Sequence, residues 1–288
     1  MYLANAPVAE PSSGPVDGES TSDSTVDSAV DTGLRLRHVV GRTFEPVNGY
    51  EPAITRYFAD LASMHGRPRP ASDFATVPRT TFTEMVTGVV DELSAFGPVD
   101  LVVLAHSTPD AEPLWPGTYL TSALPGEPHS FAIADQGVTA PFTALRLAGD
   151  YARADGLRRV LVIALDQTRL DAEPGTPLPS ADRLVALVLE RAPTGERGIA
   201  VGLWPDVAPD AAPIAVRAAI KGTAIAVLGG ELAGRSTFPP RVRPVAAPAG
   251  LPCTGVWSAM TTVDLGGHPV VVADYDRVSR HLAVARIR

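Results

Sequence analysis

The sequence predicts an α/β fold in which helices cover mixed, mostly parallel sheets. Short, continuous apolar runs at 99–105 and 159–165 are typical of strands that are buried on both faces. Between such runs, the segments 81–96 and 140–154 carry apolar residues at helical spacing. Because helix and buried strand alternate through 83–190, this region is expected to form helices packed on a sheet.

The other elements follow from similar patterns. A strand with one wet face is predicted at 34–40, where apolar and charged residues alternate. Further strands are predicted at 131–134, 184–189, 199–204, 214–219, 223–228, 270–275 and 282–287. Further helices are predicted at 52–64 and 254–262. The proline-rich stretches 205–213 and 239–252 are predicted to be loops.

The chain divides into an acidic tail at 1–31 and two halves at 32–192 and 193–288. The tail is rich in Ser, Asp, Gly and Pro, has no Lys or Arg, and supplies −6 of the net charge of −8. Its acidic residues are Glu10, Asp17, Glu19, Asp23, Asp27 and Asp31. Such a segment buries too little apolar surface to offset its ordering entropy, so it is predicted to be disordered.

Composition argues against several classes of function. The body lacks a basic stripe that would neutralise phosphates, so no nucleic-acid partner is expected. No apolar run reaches the roughly 18 residues that cross a bilayer, and no secretory signal is recognisable. We therefore expect no membrane partner and a cytoplasmic protein.

Metal and cofactor sites are also not expected. The single cysteine, Cys253, excludes an intrachain disulfide and a cysteine-rich metal site. The histidines show no zinc-ligand spacing. Neither half contains a glycine-rich phosphate loop.

A series of motifs between residues 99 and 190 indicates a more specific fold. The strand at 101–105 leads into His106-Ser107-Thr108-Pro109-Asp110, and a helix beginning with Pro116 follows. Next come a strand, a sharp turn and a helix at 131–145, then the strand 157–164 and the loop and strand 180–190. In order and spacing this run, about a third of the chain, resembles the N-terminal half of ketosynthases in the thiolase-fold superfamily. The similarity is greatest to the branch related to beta-ketoacyl-ACP synthase III.

The resemblance implies a layered αβαβα architecture built from two similar thiolase-like halves, the second shortened. In that family the sharp turn carries the catalytic cysteine, because the reaction begins with acyl transfer onto a thiolate. Here the turn, called the elbow, reads Gln136-Gly137-Val138-Thr139. Counting back from the helix puts Val138 at the cysteine position, and counting from the strand puts Gly137 there. Neither side chain is a nucleophile, and the hydroxyl of Thr139, one place away, is expected to point elsewhere.

The family's second half supplies a His and then a His or Asn, which stabilise the thioester enolate by hydrogen bonds. The strand at 225–228 ends in Gly229-Gly230, where the His is expected, and Leu251 stands at the Asn position. The glycine-rich loop near the family's C-terminus is replaced by a segment with Asp274 and Asp276, expected to be a solvated hairpin loop. The resemblance therefore implies vacant positions for all three catalytic roles.

Four other residues have two readings each. Cys253 precedes a predicted helix, where its thiol pKa would be lowered, or it is a buried, inert cysteine. His106 lies at a strand end, where catalytic groups gather in α/β sheets, or it is a loop or core histidine. Asp135 and Gln136 either form hydrogen bonds across a dimer interface or cap a local turn.

The resemblance with these vacancies predicts a non-catalytic subunit similar to the chain-length factor of type II polyketide synthases. Such a subunit would form a heterodimer with an active ketosynthase homologue, shape its acyl tunnel and work with an acyl carrier protein. A second hypothesis is a thiolase-fold acyltransferase, hydrolase or cyclase that acts on acyl-carrier or CoA thioesters through Thr139, Cys253 or His106. A third is a binding module for acyl thioesters. The sequence does not specify the acyl chain, the product or the partner.

Overall fold

The structure, a computed structural model, describes residues 29–46, 49–75, 78–112, 115–168, 178–222, 224–263 and 267–288. The strands are β1 (Val30–Asp31), β2 (Leu34–Phe44), β3 (Leu101–His106), β4 (His129–Ile133), β5 (Arg159–Asp166), β6 (Asp182–Arg191), β7 (Ala200–Trp204), β8 (Ala224–Leu228), β9 (Val242–Ala246), β10 (Val270–Asp276) and β11 (His281–Ile287). The helices are α1 (Pro52–Met64), α2 (Ser72–Ala75), α3 (Phe82–Thr87), α4 (Val90–Ser94), α5 (Pro116–Ala123), α6 (Ala140–Asp155), α7 (Ala211–Ala219), α8 (Gly230–Ala233) and α9 (Gly255–Ala259).

Within these residues the strands form two sheets that sandwich a central helical layer. The first sheet has the order β2-β6-β5-β3-β4 and the second the order β1-β7-β11-β10-β8-β9. Helix α6 contacts β3 and β5 of the first sheet and β7 and β11 of the second. Helix α9 lies beside it, with the rings of Phe142 and Trp257 5.0 Å apart. Helices α3 to α5 cover the outer face of the first sheet, and α7 and α8 cover that of the second. This is the predicted αβαβα layering.

Strand β3 shows why the apolar runs are continuous. Leu101, Val103 and Ala105 pack into the core between the sheets, whereas Val102 and Leu104 pack under the outer helices. Successive side chains of a strand point to opposite faces, so a strand covered on both faces needs apolar residues throughout.

The sheets are mixed, as predicted, but less parallel than expected. Strand β3 runs parallel to β4 and β5, and β8 runs parallel to β9 and β10. The pairs β2–β6, β5–β6, β7–β11 and β10–β11 are antiparallel. A continuous apolar run indicates that a strand is buried on both faces, but it does not indicate the strand's direction. The sequence pattern therefore overestimated the proportion of parallel strand pairs.

Several element predictions were wrong in detail. The predicted strand at 214–219 belongs to α7, whose buried Ala212, Val216 and Ala219 recur at helical spacing. The predicted helix at 81–96 is divided into α3 and α4, because α3 ends at Gly88. The loop predicted at 239–252 contains β9, an edge strand that tolerates Pro244.

The predicted tail also ends earlier than expected. Val30 and Asp31 form β1, which pairs with Val201 and Ala200 of β7. The prediction of disorder for residues 1–28 lies outside the described residues. No helix in the described part of the chain has the length and apolar character needed to cross a membrane.

Candidate functional site

The elbow joins β4 to α6 through a tight turn. Asp135 and Gly137 both have positive φ, 60° and 51°, and a 3-10 turn at Gly137–Thr139 leads into the helix. The hydroxyl of Thr139 donates a hydrogen bond to the carbonyl of Gln136 at 2.8 Å, and Thr143 Oγ1 donates to Gln136 Oε1 at 2.6 Å. The polar side chains of Gln136 and Thr139 thus serve the turn itself.

The second half of the chain fills the space beside the elbow. A Cβ atom added at Gly137 would lie 2.7 Å from Asp276 Oδ2. The Gly137 carbonyl accepts a hydrogen bond from the Cys253 thiol, with an S···O distance of 3.6 Å. A side chain at position 137 would therefore displace Asp276.

The carboxylate of Asp166, at the end of β5, holds the segment that carries Cys253. It accepts hydrogen bonds from Cys253 N at 3.2 Å, Thr254 N at 2.8 Å and Thr254 Oγ1 at 2.7 Å. Burial raises the pKa of Asp166, and these hydrogen bonds oppose that rise. Asp166 thus links the first sheet to the start of α9.

Cys253 lies in this packed region rather than in an open site. Its side chain is fully buried. Burial, followed by the negative charge of Asp166, raises the thiol pKa well above its ordinary value. The geometry therefore matches the inert reading of Cys253, since a nucleophilic thiol needs a lowered pKa and access to substrate.

Asp274 corrects the prediction of a solvated hairpin loop. It belongs to β10, is 7% exposed, and its burial raises the pKa to about 7. A Cβ atom added at Gly229 would overlap its carboxylate, so glycine at this strand end makes room for Asp274. Asp276 does serve the hairpin turn, because its Oδ1 accepts from Val278 N at 2.8 Å and Ser279 N at 3.1 Å.

The elbow and the second-half positions thus come together in space. Gly137, Asp166, Gly229, Cys253 and Asp274 are called the centre below. Leu251, at the expected Asn position, is 9% exposed and lies two residues before Cys253.

A separate cavity of about 1350 Å³ lies on the outer side of the first sheet, between α1, α5 and the ends of β3 and β4. The aromatic residues in its lining are Tyr50, Tyr57, Phe58, Phe74, Phe82, Trp115 and Phe131. His106 and Asp110, both from the segment that follows β3, also line it. No sequence pattern predicted this cavity. The pattern that could have indicated it is the aromatic cluster of Tyr50, Tyr57 and Phe58, which lies opposite the β3 segment.

Burial and hydrogen bonds set the ionisation of the two polar groups. The His106 Nδ1 atom lies 2.6 Å from the Thr108 carbonyl, so Nδ1 carries a hydrogen. Burial lowers the His106 pKa, which favours the neutral ring with an unprotonated Nε2. Asp110 Oδ1 accepts from Phe82 N at 3.1 Å and Gln167 Nε2 at 3.3 Å. Burial raises the Asp110 pKa to about 6 despite these bonds.

Across the described ranges, no group of three or more His, Cys, Asp or Glu side chains is arranged to hold a metal ion. Asp135 and Gln136 lie on the exposed side of the elbow.

Comparison with known proteins identifies the fold. No protein-family model matches the sequence, and no curated protein matches it. Among solved structures, a 3-oxoacyl-(acyl-carrier protein) synthase from Burkholderia xenovorans aligns with a TM-score of 0.59 at 14% identity, covering 89% of this chain and 94% of that one. FabH, the synthase III of Pseudomonas aeruginosa, aligns with a TM-score of 0.56 at 16% identity, covering 88% and 98%. The acyltransferase ChlB3 gives 0.58 at 16% identity, covering 89% and 97%.

The fold is thiolase-like. The alignments span both halves of the chain, which confirms the predicted fold class and its similarity to synthase III enzymes. At these identities the likeness concerns the fold, so the activity of this thiolase-like protein has to be argued from its own residues.

Proposed function

We propose that this thiolase-like chain is a non-catalytic partner subunit of the chain-length-factor type. It pairs with an active ketosynthase in polyketide or fatty-acyl biosynthesis and shapes the acyl tunnel of that partner. The elbow carries the proposal: by the resemblance, either Val138 or Gly137 falls at the position of the ketosynthase nucleophile, and Asp276 occupies the space beside Gly137.

The remaining nucleophilic side chains near the elbow support this proposal. The Cys253 thiol is buried and has a raised pKa, so little of it is thiolate at neutral pH. Thr139 is 6% exposed, and its hydroxyl already donates to the Gln136 carbonyl. A nucleophile needs access to substrate, whereas Cys253 and Thr139 are both buried.

The edge of the first sheet supports the pairing. Strand β4 ends the strand order of that sheet and pairs with β3 alone among the described strands. Its Phe131 packs against Tyr151 of α6, with ring centroids 5.3 Å apart, and Tyr151 is 45% exposed. An open strand edge flanked by an exposed aromatic residue is suited to contact with another chain.

Co-expression with a cysteine-bearing ketosynthase and its acyl carrier protein tests the proposal. Gel filtration with light scattering is expected to show a stable 1:1 complex of this chain with the ketosynthase. Tyr151→Arg should weaken that complex at least about tenfold, because it places a charge beside the edge strand. Ile214→Arg is the matched control, since Ile214 is 58% exposed on α7, a helix of the opposite outer layer. A chain that stays monomeric or homodimeric with every such homologue contradicts the proposal.

The alternative is a thiolase-fold acyltransferase, hydrolase or cyclase with an altered site. The neutral imidazole of His106 at the cavity favours it, because such a group is able to act as a general base. A Thr139→Ala, Cys253→Ala and His106→Leu triple variant, assayed for turnover of acyl-CoA and acyl-carrier thioesters, separates the cases. Loss of a wild-type turnover in this variant supports the alternative, and full retention leaves no residue to carry it.

A further inference from the structure

The cavity outside the first sheet has a lining that selects a class of ligand. We infer that it binds an aromatic or conjugated molecule that carries a hydroxyl group, and that this hydroxyl donates a hydrogen bond to His106 Nε2. The residues lining the cavity do not include those of the centre. The inference therefore goes beyond the proposed partner role and applies to this chain by itself.

The size and walls of the cavity fit a planar apolar molecule. Its volume of about 1350 Å³ is ample for a small organic ligand. Tyr57 and Phe58 of α1 face it from one side, and Phe82 lines it near the sheet. Aromatic side chains stack on flat π-systems and lose little conformational entropy on binding.

His106 lines the cavity and supplies a hydrogen-bond acceptor. Because Nδ1 donates to the Thr108 carbonyl, the neutral ring presents Nε2 as an acceptor. The ring also packs against Phe82, with centroids 5.2 Å apart, which fixes its orientation. A ligand hydroxyl satisfies this acceptor, whereas a ligand without a donor leaves it unpaired in an apolar setting.

The acids near His106 favour a neutral hydroxyl over an anionic group beside it. Asp110 lies four residues after His106, and its buried Oδ2 has no hydrogen-bond partner among the described residues. Glu112 forms a buried ion pair with Arg79, so that cation is already neutralised. A carboxylate brought next to Asp110 would be repelled, whereas a hydroxyl is not.

Two probes of matched shape test the inference on the full chain. Isothermal titration is expected to show binding of 2-naphthol, with 2-methoxynaphthalene about tenfold weaker because it has no O–H donor. His106→Leu should remove this preference while thermal melting confirms a folded protein. Absence of 2-naphthol binding, or a preference that survives in His106→Leu, overturns the inference.

A second pair of variants locates the binding. Thr118 is exposed on α5 and lines the cavity, so Thr118→Trp should fill the space and weaken 2-naphthol binding at least about tenfold. Ser122, exposed one turn further along α5, is not in the lining, so Ser122→Trp should leave binding unchanged. Equal binding by the two variants would place the probe elsewhere and overturn the inference.

Discussion

The centre and the cavity lie at the carboxyl ends of neighbouring strands, yet they are built in opposite ways. At the centre, Gly137, Cys253 and Asp274 belong to a packed region in which added atoms at Gly137 or Gly229 would meet a carboxylate. The cavity next to His106 is open and has about 1350 Å³ of space. The resemblance implies reacting groups at the centre, whereas this cavity lies outside it.

The difference shows what the polar groups of the centre do. Asp166 uses its carboxylate to fix the start of α9, and Asp276 uses its own to shape a turn. Asp166 thus joins the first sheet to the second half of the chain, and Asp276 stabilises its own hairpin. Four sets of substitutions test this contrast between a packed centre and an open cavity.

The largest effect is expected from Asp166→Ala. This change leaves three buried donors of Cys253 and Thr254 without their acceptor, which should lower the free energy of unfolding by about 4 kcal/mol. Thr254→Val removes one of these hydrogen bonds and should cost about 1 kcal/mol. Urea denaturation measures both. If both variants lose the same small amount of unfolding free energy, Asp166 does not hold the centre together.

Gly229→Ala tests the packing around Asp274. The added Cβ would overlap the Asp274 carboxylate, so we expect a loss of about 2 to 3 kcal/mol in the free energy of unfolding. Gly230→Ala is the matched control, because its Cβ would meet no atom within 4 Å. The larger change Thr118→Trp in the cavity wall should cost less than about 0.5 kcal/mol. If Gly229→Ala and Thr118→Trp lowered the free energy of unfolding by similar amounts, the centre would not be more tightly packed than the cavity wall.

The buried carboxyl of Asp274 should make stability depend on pH. Its pKa is about 7 in the folded protein and near 3.8 when exposed, so the folded state holds the proton more tightly. Stability from this group is therefore present at low pH and is lost as pH rises from about 4 to 7, by roughly 2 kcal/mol between pH 5 and 7. Asp274→Asn should flatten this slope relative to wild type in urea denaturation. Asp276→Asn removes only a charge contribution smaller than that of burial, so it should keep most of the slope.

Cys253→Ala should have the smallest effect on stability. Removing one buried sulfur atom should cost about 1 kcal/mol. The native thiol should also resist alkylation by iodoacetamide until urea unfolds the chain, because it is buried and has a raised pKa. Rapid alkylation of the native protein would mean that the centre is open.

The sequence predicted the layers of the fold better than the detail of its centre. Continuous apolar runs such as β3 and β5 reveal strands buried on both faces, and the order of these strands matched a known fold. The burial of Asp274 was not predictable in the same way, because it depends on contact with Gly229, 45 residues earlier in the chain. The local pattern predicted a strand at 214–219, where the structure has a helix. Short apolar runs are compatible with either element, so tertiary packing decides between them.

The most direct test of the proposed non-catalytic role is intact-mass spectrometry after incubation with acyl-CoA and acyl-carrier thioesters. A condensing enzyme forms a covalent acyl intermediate on its nucleophile, which adds the mass of the acyl group. We predict that the mass of this chain stays unchanged, while an active ketosynthase treated in parallel gains one acyl group. An acyl adduct mapped to Thr139 or Cys253 would contradict the account.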